Sequence, residues 1–118
     1  MYIQLNTNEG IRGDERMVER VEAEVEAGLS HYEGQLTAVE VYLSDANGSK
    51  HGANDKKCTI EARPTGYRAV AATHEASSLE EAITGAVDKM HRRLDHELGK
   101  RREHRGDADL RKGGDTAF

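Results

Sequence analysis

The residues best suited to chemistry in this chain are seven lysines and arginines within residues 88–105, DKMHRRLDHELGKRREHR. They stand out because the whole chain of 118 residues has a formal net charge of -5. Residues 89–105 carry these seven basic side chains against three acidic ones, whereas residues 1–75 carry eight basic and thirteen acidic. Lysine and arginine bind phosphate through charge-assisted hydrogen bonds, and arginine adds a planar pair of donors. The chemistry that this segment indicates is therefore binding of an anion.

The other chemically active side chains do not form a catalytic or metal-binding pattern. Cys58 is the only cysteine, and it lies at an inward-facing position of a predicted strand, where it fits a small buried hydrophobic residue. His91 and His96 are five residues apart, so they do not lie one above the other on one helical face as the residues of an i, i+4 pair do. The segment GIRG lacks the lysine and the spacing of a P-loop. We predict no enzymatic activity, no cofactor, no metal site and no small-molecule substrate.

Length and composition place the chain in a simple class. It has room for one domain with a core of its own. A single cysteine excludes an internal disulfide, which fits a reducing cytosol. The residues MYIQLNTNEG lack the basic flank and apolar run of a signal peptide, and no window approaches the roughly 20 apolar residues that span a bilayer. We predict a soluble, cytoplasmic protein without a membrane partner.

Hydrophobic periodicity predicts four strands and two helices. Apolar and polar residues alternate, as in strands, at residues 1–6, 39–43, 57–63 and 67–73. Helical spacing begins at Asp14, a predicted N-cap, and continues to Tyr32, with Gly28 inside the apolar stripe for close packing on a sheet. A second helix begins at Ser77 or Ser78, since each has a glutamate three residues later. The order is thus strand, helix, three strands, helix.

This order predicts an α+β fold in two layers. Sequential strands joined by turns favour a mostly antiparallel four-stranded sheet, and each helix must bury its apolar stripe. We therefore predict a β-α-β-β-β-α sandwich with both helices on one face of the sheet. The single domain is predicted to span residues 1–104, and residues 105–118, which have glycine and charge without periodicity, to form a disordered tail.

Helical geometry sorts the charges of both helices into flanks. The basic flank of the second helix consists of Lys89, Arg92, Arg93, His96 and Lys100. On the first helix, Arg16 and Arg20 occupy a neutral to basic flank, opposite a row of glutamates. If the two basic flanks face one way, they form one positive surface on an acidic protein. Charge alone also fits a solvated helix whose basic end complements the helix dipole, so both interpretations stay open.

The order of elements and the run from KKCTIEARPTG to SSLEEAITGAVDKMHRRL resemble the ribosome hibernation-promoting factor family, also called ribosome-associated inhibitors. The resemblance covers residues 1–104. It implies a β-α-β-β-β-α fold similar to double-stranded-RNA-binding domains. It also implies a translation inhibitor that binds the small ribosomal subunit near its decoding region and blocks messenger and transfer RNA. The chain resembles the short form of the family, without the second domain that pairs ribosomes.

The resemblance further implies which residues bind ribosomal RNA. Basic positions of the family's last helix are matched by Lys89, Arg92 and Arg93, and its basic extension is matched by Lys100, Arg101 and Arg102. The strong cations of the first helix are Arg16 and Arg20. With no tryptophan and one phenylalanine, recognition is expected to depend on charge and shape rather than on stacked bases.

A second class of function competes with RNA binding. A protein-binding stress regulator would use the acidic flank of the first helix or an open sheet edge, and the seven acidic residues on or beside that helix support it. An enzyme is the least supported class, because no acid, base, nucleophile or metal constellation stands out. A phosphate-driven binder should lose affinity steeply as salt rises, which separates the first two classes.

Overall fold

The structure, a computed structural model, describes residues 1–8, 14–45 and 55–110, with side chains as far as Gly99. The elements of this part of the chain have one linear order. They are β1 (Tyr2–Thr7), α1 (Glu15–Leu29), a 3₁₀ helix (Ser30–Gln35), β2 (Leu36–Asp45), β3 (Lys56–Pro64), β4 (Val70–Ala76) and α2 (Leu79–Leu110). The predicted β-α-β-β-β-α arrangement is confirmed.

The four strands form one sheet in the order β1-β2-β3-β4. β1 and β2 are parallel, because α1 crosses over between them, whereas the β2–β3 and β3–β4 pairs are antiparallel. One row across the sheet joins Leu5, Val41, Ile60 and Ala72. Since successive side chains along a strand point to opposite faces, such rows give the sheet one apolar face. The mostly antiparallel sheet is confirmed.

Both helices pack on this apolar face. α1 buries Val21, Val25 and Leu29 in one cluster with inward-facing strand residues. The residues that α2 buries in the same cluster are Ala82, Ile83, Ala86, Val87, Met90, Leu94 and Leu98. On the opposite face of the sheet, Tyr42 is 41% exposed. The two-layer α+β architecture is therefore confirmed, and it leaves the outer sides of the helices to face solvent.

The fourth strand begins later than the alternation predicts. The pattern predicts residues 67–73, but β4 runs from Val70 to Ala76. Gly66 has a φ of 71°, and the Tyr67 N–H donates to the Pro64 carbonyl oxygen over 3.3 Å, so the turn continues past Tyr67. The pattern misses this shift because small alanines in the segment fit either face of a sheet.

The helix starts agree with the predicted caps. Asp14 Oδ1 accepts a hydrogen bond from the Met17 N–H over 2.9 Å. Ser78 Oγ accepts one from the Glu81 N–H over 3.1 Å, which selects Ser78 over Ser77 as the N-cap of α2. The helix ends differ from the expectation in two places.

α1 ends at Leu29, and Tyr32 lies in the following 3₁₀ helix. α2 continues to Leu110, beyond the predicted domain boundary at residue 104. Residues 111–118 of the predicted tail lie outside the described residues. The boundary between domain and tail stays a prediction.

Gly28 packs against α2 rather than on the sheet. A β-carbon built at Gly28 would overlap Val87 Cγ1. The expected contact with the sheet is therefore wrong. Because Arg20 lies beside Glu80 and Gly28 beside Val87, the two helices run side by side in the same direction.

Candidate nucleic-acid interface

One flank of α2 faces α1 and carries acidic residues. Arg20 Nη2 lies 2.9 Å from Glu80 Oε2, and the Tyr32 hydroxyl donates a hydrogen bond to Asp95 Oδ1. Between these contacts, an open groove of about 420 Å³ runs along the junction of the two helices. Its lining residues are Glu24, Ala27, Gly28, Thr84, Val87, Asp88 and His91. The acidic flank of α2 is therefore the one that adjoins α1.

The opposite flank of α2 lies along β4. A β-carbon built at Gly85 would overlap the His74 imidazole, so the absence of a side chain at Gly85 lets this ring pack against the helix. One turn later, Lys89 Nζ donates to the Thr73 carbonyl oxygen over 3.1 Å. These contacts orient the basic flank of α2 toward the β4 side of the molecule, away from α1.

The same row of α2 continues to the turn between β3 and β4. Lys89, Arg93 and Glu97 are four residues apart, so they follow one another along the helix at about one turn each. The Tyr67 hydroxyl donates to Glu97 Oε1 over 2.8 Å, which joins the turn to the end of the row. Arg93 therefore lies between the Lys89 contact with β4 and the Glu97 contact with the turn.

The basic flanks of the two helices do not face one way. Arg20 is at the α1–α2 contact, paired with Glu80. Arg16 lines a cavity of about 720 Å³ at the N-terminal ends of both helices, together with Lys56. The expected single surface is therefore corrected: the neutral to basic flank of α1 adjoins the acidic flank of α2. The side-by-side packing at Gly28 produces this pairing of opposite charges.

The lysines and arginines also differ in whether they form ion pairs. Of the nine lysines and arginines whose side chains the structure describes, four form ion pairs: Arg20, Lys56, Arg63 and Arg92. Arg92 Nη2 lies 2.6 Å from Asp88 Oδ2, one turn back on α2. Within the described part of the chain, the other five have no ion pair: Arg16, Lys57, Arg68, Lys89 and Arg93. Three of these five belong to the β4 side.

We call Arg68, Lys89 and Arg93 the β4-side patch. All three are exposed. Lys89 and Arg93 are predicted site residues, whereas Arg68 is not, because only the tertiary contact between Tyr67 and Glu97 places its turn beside α2. The only local sequence feature that indicates Arg68 as a site residue is its position after a Pro-Thr-Gly turn and next to an aromatic residue.

The predicted basic extension lies further along the same helix. The backbone of α2 passes through residues 100–102 and continues to Leu110. The side chains of Lys100, Arg101 and Arg102 lie outside the described residues, and their role stays a prediction.

Most carboxylates of α1 lie on the side away from α2. We call Glu15, Glu19, Glu22 and Glu26 the α1 acidic flank. Helical geometry places these residues opposite the flank that holds Arg20 and Ala27. Among the described residues no ion pair involves them. The domain therefore carries negative charge on its α1 side and positive charge on its β4 side.

Cys58 is the remaining reactive side chain to consider among the described residues. Cys58 is fully buried, and burial raises the pKa of its thiol to about 12, which suppresses the nucleophilic thiolate near neutral pH. In residues 1–8, 14–45 and 55–99, no three His, Cys, Asp or Glu side chains lie close enough to hold a metal ion. No helix within the described chain has the length and apolar character to cross a membrane.

Comparisons with known proteins agree with the fold. The model of the family described as "Sigma 54 modulation protein / S30EA ribosomal protein" matches residues 6–102. The crystal structure of the Thermus thermophilus Protein Y N-terminal domain superimposes with a TM-score of 0.66 at 22% identity, covering 81% of this chain and 98% of that one. A ribosomal subunit interface protein from Coxiella burnetii gives a TM-score of 0.63 at 13% identity, covering 84% and 99%. No curated protein sequence matches this chain significantly.

Proposed function

Because this chain belongs to the Sigma 54 modulation protein / S30EA ribosomal protein family, we propose that it binds the small ribosomal subunit near the decoding region and inhibits translation. There it occupies space that messenger and transfer RNA need, and no reaction has to be catalysed. The two structural neighbours, a Protein Y domain and a ribosomal subunit interface protein, support a ribosome as the partner. The place of action is then the cytoplasm, during ribosome hibernation under stress.

The observation that carries this proposal is the β4-side patch. Arg68, Lys89 and Arg93 are exposed cations, and no described carboxylate forms an ion pair with them. A cation that neutralises an RNA phosphate releases a condensed counterion, and this release drives binding. A cation already paired with a carboxylate must first give up that pair. The patch is therefore the part of the described surface best suited to ribosomal RNA.

Recognition at this patch depends on phosphate position rather than on base identity. Arginine and lysine bind the backbone of any sequence, so selectivity comes from the shape of the folded RNA. The large aromatic residues that are exposed within the described chain, Tyr2 and Tyr42, belong to β1 and β2, on strands remote from β4. Stacking on unpaired bases is therefore not part of the proposed contact.

Replacement of Arg93 by alanine tests the patch. We expect binding to purified small ribosomal subunits to weaken about tenfold near 0.1 M salt, because one charge-assisted phosphate contact is lost. The slope of log affinity against log salt should fall by about one. Co-sedimentation across a salt series measures both quantities.

Lys57→Ala is the matched control for Arg93→Ala. Lys57 is also exposed and without a described ion pair, but it lies on β3, opposite Glu75 of β4. We expect the affinity of Lys57→Ala for the small subunit, and its slope of log affinity against log salt, to stay within twofold of the wild-type values. Equal losses for both variants would mean that net charge, not the β4-side patch, governs binding. A wild-type chain that does not sediment with the subunit would reject the proposed function.

The α1 acidic flank supports a second candidate function, binding of a basic protein. Its four carboxylates have no ion pair within the described chain and face away from α2. In that case Arg93→Ala would leave binding unchanged, while neutralisation of Glu19 and Glu22 would abolish it. The two candidates therefore make opposite predictions for the two sides of the domain.

A further inference from the structure

We propose that Arg68, in the turn between β3 and β4, is a further contact to ribosomal RNA phosphates and that Tyr67 positions it. The inference rests on the proposed function and extends its site from the helix layer onto the sheet layer. Neither the family's basic helix positions nor the charge run at residues 88–105 includes this turn. It is assigned from the contacts of the turn itself.

The turn is held in a defined conformation. Gly66 has a φ of 71°, a conformation that favours glycine. The Thr65 N–H donates to the Gln35 carbonyl oxygen over 2.8 Å, and the Tyr67 N–H donates to the Pro64 carbonyl oxygen over 3.3 Å. These bonds join the turn to the end of the 3₁₀ helix, at Gln35, and to the end of β3. The Arg68 side chain thus extends from a backbone that is already ordered before binding, which lowers the entropic cost of binding.

A side-chain contact brings this turn to the basic flank of α2. The Tyr67 hydroxyl donates to Glu97 Oε1 over 2.8 Å. Glu97 is one helical turn beyond Arg93, and Arg93 is one turn beyond Lys89. Because Arg68 follows Tyr67 directly, it lies at the end of the row that begins with Lys89 and Arg93, next to the contact that Glu97 makes with the turn. A phosphate backbone that lies along α2 meets Arg68 at the end of this row.

The electrostatic surroundings of Arg68 differ from those of the neighbouring Arg63. Arg63 Nη2 lies 3.2 Å from Glu40 Oε1 and 3.0 Å from Glu61 Oε1, so two carboxylates neutralise it. Within the described chain no such pair involves Arg68, which is exposed. Of these two arginines, only Arg68 can therefore bind an anion without first breaking an ion pair within the described chain.

Arg68→Gln and Arg63→Gln form a matched pair of variants. We expect Arg68→Gln to weaken binding to purified small ribosomal subunits about three- to tenfold and to lower the salt slope by about one. Arg63→Gln removes the same charge from a neutralised position, so its slope should stay at the wild-type value. Equal slopes for the wild type and Arg68→Gln would overturn the inference. Circular dichroism and thermal unfolding check that both variants fold.

The positioning role of Tyr67 is tested in a double-mutant cycle. Tyr67→Phe keeps the ring and all charges but removes the hydroxyl that bonds Glu97. We expect it to weaken binding in the wild-type background and to have no further effect in Arg68→Gln, because the two residues act as one unit. Additive losses would overturn the role of Tyr67.

The proposed function and this inference fail in different ways. If the wild type does not bind the subunit, the proposed function fails. If the wild type binds and Arg93→Ala has no effect, the β4-side patch is not the binding site. If Arg93→Ala lowers the salt slope and Arg68→Gln does not, the function holds and the turn is excluded from the interface.

Discussion

Arg92 and Arg93 are adjacent in the chain, yet their side chains have different electrostatic surroundings. Arg92 Nη2 lies 2.6 Å from Asp88 Oδ2, and both side chains are about two-thirds exposed. Such an exposed i, i+4 pair contributes only about 0.3–0.5 kcal/mol, so it can exchange for a stronger partner. Under the proposed function, Asp88 is therefore a weak internal competitor of RNA for Arg92.

Asp88→Asn should tighten binding to the small ribosomal subunit. The substitution removes the competing carboxylate from Arg92 and removes a negative charge near the patch. We expect a gain of about two- to fivefold in affinity at 0.1 M salt, with a steeper salt slope. A filter-binding or co-sedimentation titration against the wild type measures the change.

Glu19→Gln controls for net charge in this comparison. It changes the charge by the same amount, but Glu19 lies on the α1 acidic flank, away from α2. Its affinity should change less than that of Asp88→Asn. If the two variants gain equally, the Asp88–Arg92 pair has no specific effect on binding.

Close packing at two glycines orients the helices. Gly28 lets α1 approach Val87 of α2, and Gly85 lets α2 approach His74 of β4. These contacts set which flank of each helix meets which neighbour. The orientation of the basic flank toward β4 is thus a consequence of packing, and it depends on the small size of residue 85.

Gly85→Ala should destabilise the domain by about 1–3 kcal/mol, because a β-carbon there would overlap the His74 imidazole. Gly99→Ala, in the same helix, has no atom within 4 Å of the added carbon. It should stabilise the domain by up to about 1 kcal/mol, since alanine favours helix more than glycine does. Urea unfolding measures both changes. A stabilised Gly85→Ala protein would contradict the packing role, and His74→Ala should relieve the overlap.

Much of the fold follows from local sequence patterns, because caps and periodicity are local. Asp14 and Ser78 cap the helices as their side chains predict. Local patterns could not predict which neighbouring element each helix flank contacts. A helical projection gives the angle of Arg20 or Lys89 around its axis, but not which element lies at that angle. Only the contacts with Glu80 and with Thr73 separate the two flanks.

Charge separation across the described part of the domain makes the proposed RNA binding compatible with an acidic protein. The α1 acidic flank and the β4-side patch lie on opposite sides of a two-helix layer. Packed helix axes are about 8–10 Å apart, so the two sides are on the order of 20 Å apart. This distance exceeds the Debye length of about 8 Å at 0.15 M salt. At that ionic strength, the carboxylates of α1 scarcely weaken the attraction of the patch for phosphate.

Replacement of Glu15, Glu19, Glu22 and Glu26 by glutamine tests this separation, because the variant changes only the far side of the domain. At about 0.01 M salt the Debye length is about 30 Å, so the carboxylates repel RNA across the whole domain. We expect the variant to associate with small ribosomal subunits several-fold faster than the wild type at that salt. Near 0.15 M salt the two rates should converge within about twofold, since screening already hides the acidic flank. Stopped-flow association at both salt concentrations measures the ratio. An equal gain at both would mean that the acidic flank adjoins the bound RNA, and a loss of binding would favour a basic protein as its partner.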